Sequence, residues 1–86
     1  MKRIERVQTG LRIEKQLLKV LKGIAEHLDI SVAELIEAIA LHSFEGKAPF
    51  SAAAMEKIRQ LKVVYDLDLG AEDSHRLMEG DGGKNV

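Results

Sequence analysis

Polar and apolar side chains alternate along Arg6-Val7-Gln8-Thr9-Gly10-Leu11-Arg12-Ile13. With a period of two, Arg6, Gln8, Gly10 and Arg12 share one side, and Val7, Thr9, Leu11 and Ile13 share the other. The polar side carries groups suited to paired hydrogen bonds. An arginine fork matches two acceptors at once, and a glutamine amide sets a donor beside an acceptor. The alternation predicts a strand over about 6–13. No later stretch of the chain offers it a partner, so its backbone groups would stay unmet and its apolar side wet. A second copy of the same strand, supplied by another chain, is the expected remedy.

Other chemistries find little footing. The histidines (His27, His42 and His75) lie far apart in the sequence, without the i, i+4 spacing of a helical ligand pair. With no cysteine, disulfides and thiolate metal sites are excluded, as suits a reducing compartment. Neither a glycine-rich phosphate loop nor a paired nucleophile and base is present. The expectation is a protein that binds rather than catalyses, with no metal and no cofactor.

Charge is sorted along the chain although the formal total is only −1. Residues 1–23 hold seven lysines and arginines against Glu5 and Glu14, a net of +5. Residues 24–46 hold five acidic groups and no Lys or Arg, a net of −5. The remaining residues carry six basic and seven acidic groups, a net of −1. A polyanion would therefore be drawn to one end of the molecule and repelled by another.

With 86 residues the chain is expected to form one small domain, in the range where oligomerisation often supplements a marginal core. Its three aromatics, Phe44, Phe50 and Tyr65, leave the core to aliphatic side chains. Residues 1–5 read as a flexible basic arm. From Glu14 the apolar period lengthens: Leu17, Leu18, Leu21, Ile24, Ala25 and Leu28 predict a first helix over about 14–28. Gly23 inside it costs about 1 kcal/mol against alanine, which suggests close approach of another backbone. Ser31-Val32-Ala33-Glu34 has the form of a capping box and opens a second helix reaching about Glu45. Gly46 suits the turn that ends it, and Pro49 prevents continuation. Ser51 caps a third helix over about 52–66, with Ala54, Met55, Ile58, Leu61, Val64 and Tyr65 as its apolar positions. A short, weak helix is expected over about 71–79, and residues 80–86 lack core-forming content and are expected to be disordered.

A strand, a helix directly after it, a short turn and a second helix thus occupy residues 6–46. This order resembles the ribbon-helix-helix family of DNA-binding proteins, the MetJ/Arc type. The likeness rests on Leu11-Arg12-Ile13, on Leu17, Leu21 and Ile24-Ala25-Glu26, and on Ser31 through Ile39. It covers a little under half of the chain. The resemblance implies a mainly α fold: one N-terminal strand plus two helices in an intertwined homodimer, with an additional C-terminal helix here. It also implies a sequence-specific DNA-binding transcriptional regulator, a repressor, that inserts an antiparallel two-stranded ribbon into the major groove. Base contacts would fall to Gln8, Gly10 and Arg12. Arg12 suits guanine and Gln8 adenine, each pair worth about 1–3 kcal/mol of discrimination. The N-terminus of the second helix (Ser31 with the amides of Val32 and Ala33) would hold a backbone phosphate. Lys2, Arg3, Arg6 and Lys15 suit further phosphate contacts. Val7, Leu11, Ile13, Leu17, Leu21, Ile24, Leu35, Ile36, Ile39 and Phe44 would form the dimer core.

The expected organisation is an arm (1–5), a DNA-binding and dimerisation domain (6–46), a helical extension (47–79) and a tail (80–86). The expected partners are double-stranded DNA and a second copy, with higher oligomers on DNA. An antitoxin or protein-interaction module, binding a partner protein through 47–79, is the alternative. No stretch approaches a membrane span, and a cytoplasmic location is expected.

Overall fold

The structure is a computed structural model that describes residues 1–80. Its regular elements are three helices, α1 (Lys15–Leu28), α2 (Val32–Phe44) and α3 (Ala52–Val64), followed by a single 3₁₀ turn at Ala71–Asp73. Both α2 and α3 pack on α1, which makes α1 the centre of the molecule.

Each helix begins where a side chain can satisfy a free backbone N–H. Glu14 caps α1, its carboxylate accepting from the Leu17 N–H at 2.7 Å. Ser31 caps α2 in a complete capping box: the Glu34 N–H donates to the Ser31 hydroxyl and the Ser31 N–H to the Glu34 carboxylate, both at 3.0 Å. The Ser51 hydroxyl receives the Ala54 N–H at the start of α3. The ends are also alike. Asp29, Gly46 and Asp66 all have positive φ, at 63°, 69° and 56°. The next residue then donates back across the last turn: Ile30 to Ala25, Lys47 to His42 and Leu67 to Lys62, at 3.0, 2.9 and 2.9 Å. This is the Schellman arrangement, and only at Gly46 is the left-handed residue a glycine. Aspartate tolerates that conformation better than most side chains, so the turn after α1 closes without glycine.

The core is small, with an aliphatic centre and one aromatic, Phe50, at its edge. Ile24, Ala25 and Leu35 are buried, and Leu21, Ile39, Phe50, Ile58 and Leu61 pack around them. Thus α3 does not stand apart from the first two helices: its Ile58 and Leu61 close over the junction of α1 and α2. Gly23 faces α3, but the group it admits is a side chain. A methyl at Gly23 would lie 3.0 and 3.1 Å from the two δ-carbons of Leu61, so the expected close backbone is absent. Val20, one turn before Ile24, is buried as well, whereas Leu17 and Leu28 keep 37% and 39% of their surface exposed. The buried arc of α1 therefore centres on Val20, Ile24 and Ala25 rather than on the whole stripe that apolar spacing suggests.

Two expectations about secondary structure are corrected. Among the described residues there is no strand, and residues 1–14 carry no regular structure. The ribbon-helix-helix assignment therefore fails for this chain: it is all-helical, with three helices and no N-terminal strand among the described residues. A strand exists only as one rail of a ladder. Residues 1–13 make no backbone hydrogen bond to any described residue, so alternation at 6–13 has nothing to act on. The helix expected over 71–79 shrinks to Ala71–Asp73, where the Asp73 carboxylate accepts from the Gly70 N–H at 2.8 Å. One short turn with no buried residue cannot offset the cost of starting a helix. The expected disordered tail at 81–86 lies outside the described residues.

Candidate nucleic-acid interface

The N-terminal segment lies on the surface. Residues 1–12 are all exposed, including Gln8, Gly10 and Arg12 and the cations Lys2, Arg3 and Arg6. The Cα radius of gyration, 14.4 Å, exceeds the roughly 12 Å of a compact chain of this length. Lys15, Lys19 and Lys22 continue the positive charge along the exposed side of α1. Lys19 also sits 5.9 Å from the centre of the Tyr65 ring, tying the end of α3 to the middle of α1.

Two of the arginines are engaged. Arg6 grips Glu37 of α2 in a two-pronged pair, its Nε and Nη2 each donating to a carboxylate oxygen at 2.8 Å. The hydrogen bonds and opposite charge of Arg6 hold Glu37 below the ordinary carboxylate range, and the same partner raises the Arg6 guanidinium. This ion pair anchors the segment to α2. Arg12 pairs with Glu79 from the far end of the described chain. Arg6, expected to meet a phosphate, and Arg12, expected to meet a base, are thus both in acidic company. Lys2, Arg3 and Lys15 have no such partner among the described residues.

The start of α2 is likewise occupied. Ser31, Val32 and Ala33 stand where the resemblance puts a phosphate, and the amides of Val32 and Ala33 are free of intrahelical partners by position. The Glu34 carboxylate already rests at this end, however, its acidity strengthened first by hydrogen bonds from Ser31. An incoming phosphate would meet that negative charge.

The residues expected to bind a second copy divide into three groups. Ile24 and Leu35, each 1% exposed, belong to the core of the single chain, and Leu21 and Ile39 lean on them. By contrast Val7, Leu11 and Phe44 are 78%, 68% and 81% exposed, and Leu17 is exposed as well. Ile13 and Ile36 are half-buried. Leu41, beside Phe44 on the last turn of α2, adds to an uncovered apolar surface.

Comparison with known family models, curated proteins and solved structures finds no match for this chain. The functional case therefore rests on its own residues. Among the described residues no three His, Asp or Glu side chains gather as a cation site, and no helix is long and apolar enough to cross a membrane. Sequence reasoning missed the pairing of Arg12 with Glu79. Residues 67 positions apart have no local signal, and only the opposite charges of the two segments hinted at it.

Proposed function

We propose that this protein is a homodimeric, sequence-specific DNA-binding regulator of transcription, acting as a repressor in the cytoplasm. The observation that carries the reading is the exposure of seven cations in the first 22 residues: Lys2, Arg3, Arg6 and Arg12 of the N-terminal segment and Lys15, Lys19 and Lys22 of α1. Cations on an exposed segment suit contacts to duplex phosphates, and their affinity falls as salt displaces them. Gln8 and Arg12 supply the base-reading chemistry, with Gly10 letting the backbone come close between them. The uncovered Val7, Leu11, Leu41 and Phe44 support a second copy, because a monomer gains nothing by leaving such side chains in water.

The test is a salt series of duplex binding by fluorescence anisotropy, with specific and random sequences. Arg12→Ala is expected to cost about 1–3 kcal/mol on the specific duplex and little on the random one. Lys2→Ala and Arg3→Ala are expected to weaken both alike and to flatten the salt dependence by about one unit each. Wild-type affinity for specific sequence in both Arg12→Ala and Gln8→Ala would overturn the base-reading assignment.

A second reading, a protein-interaction module such as an antitoxin that engages a partner through residues 47–79, is favoured by α3. Its Met55, Val63 and Val64 are exposed, the last two at 74% and 66%. Replacing Val63 and Val64 with serine discriminates. Loss of a co-purifying protein with DNA binding intact supports the module, and unchanged association removes it.

A further inference from the structure

The segment after the 3₁₀ turn returns to the start of the chain. Leu77, Met78 and Glu79 line an open groove of about 870 Å³ whose other wall is Leu11, Ile13 and Leu18. The carboxylate of Glu79 pairs with the Arg12 guanidinium across it. Two independent features thus meet at one place. The groove's apolar wall includes Leu11, which the proposed dimer would cover, and its polar rim is Arg12, which the proposed DNA contact needs. Charge favours the arrangement. Residues 71–80 hold Glu72, Asp73 and Glu79 against Arg76, a net of −2, and they face a segment with a net of +5 over residues 1–23.

We infer that Leu77–Glu79 is an internal competitor that shares this partly open face and is displaced when a second copy pairs there. The inference rests on the homodimer reading above. In the single chain Leu77 shares the groove with Leu11, and Glu79 takes guanidinium donors of Arg12 that a phosphate or base edge would otherwise use. The contact is shallow, with Leu77 53% and Met78 81% exposed, as befits a segment that has to leave. Pairing and DNA contact then reinforce each other: a second copy that displaces Leu77 also frees Arg12, and a duplex that takes Arg12 loosens Leu77.

The experiment uses the full chain carrying Leu77→Ala with Glu79→Ala. Glu72→Ala serves as the control for removing an acidic charge from the same segment at a residue that does not line the groove. Self-association is followed by sedimentation equilibrium across concentration, without DNA. Trypsin cleavage after Arg12 is timed in dilute solution, where single chains dominate. The double variant is expected to dimerise at about three- to tenfold lower concentration, the scale of one exposed ion pair plus a partly buried leucine. It should also be cut faster after Arg12, with Glu72→Ala matching wild type in both. Equal self-association of wild type and double variant overturns the inference, as does an equal gain in Glu72→Ala. Chains that stay single at every concentration overturn the dimer reading and the competitor role with it. Faster cleavage in that case shows that the Arg12–Glu79 contact forms without serving that end.

Discussion

Replacing Gly23 with alanine sets two effects of known size against each other. In the middle of α1 an alanine is worth about 1 kcal/mol more than a glycine, because the glycine backbone loses more freedom on folding. Against this, the new methyl lies 3.0 Å from one δ-carbon of Leu61 and 3.1 Å from the other. Rotating the isobutyl group relieves one contact at the expense of its twin, so Leu61 must move as a whole. Leu61 packs on the Ile24, Ala25 and Leu35 cluster, so that movement disturbs the core. Overpacking of this kind costs about 1–3 kcal/mol. The expected net result is destabilisation by about 1 kcal/mol, or a melting temperature lower by roughly 4–8 °C for a domain of this size. The assay is urea unfolding followed by circular dichroism, on a double-mutant cycle with Leu61→Ala. Leu61→Ala alone should cost about 2 kcal/mol, at the low end for a leucine because Leu61 is only half-buried. In that background Gly23→Ala should become stabilising by about 1 kcal/mol, a coupling of about 2 kcal/mol. Gly23→Ala stabilising by the full propensity difference in the wild-type chain, with no coupling to Leu61, would refute the close packing of α1 on α3.

Leu35→Ala removes a side chain that is 1% exposed and should cost about 2–5 kcal/mol by urea unfolding, enough to unfold much of a chain this small. Ser31→Ala should cost about 1 kcal/mol through the lost cap on α2, with the loss shared by its Glu34 partner. The Gln16 side-chain oxygen is buried without a hydrogen-bond partner among the described residues, so Gln16→Leu should be neutral or stabilise by about 1 kcal/mol. Acid should weaken the fold in a defined window. Glu34, Glu37 and Glu56 are held below the ordinary carboxylate value by Ser31, Arg6 and Arg59 respectively. Their contribution is full above that ordinary value and disappears as pH falls through their lowered ones. Urea midpoints should therefore hold from pH 7 to about 5 and decline below about 4, with Glu37→Gln flattening part of the decline.

Local signals made the helical frame legible in the sequence. Ser31 and Ser51 name their helices because a short hydroxyl side chain meets a free N–H three residues on, a bond formed within one turn. Gly46 and Pro49 end α2 for equally local reasons. Ile24 and Leu35 announced themselves as buried by helical spacing, although which surface covers them is decided by α3. The charge contrast between residues 1–23 and 24–46 is likewise a property of the sequence, and it points to a polyanion without naming the contacts.

Features that join distant parts of the chain were decided only by tertiary structure. Alternation at 6–13 predicted a strand, yet alternation sets only which side chains share a side, and the ladder has to come from elsewhere. Within this chain the segment is anchored instead by Arg6 on Glu37, a pair 31 residues apart. The glycine in α1 suggested a neighbour, but that the neighbour is the Leu61 side chain follows from how α3 crosses α1. Arg12, chosen for its donors, turns out to share a groove with Leu77 and a charge with Glu79. Its chemistry belongs to its type and can be read from one residue. Its availability depends on which segment folds back over it, and that is settled by three-dimensional packing alone.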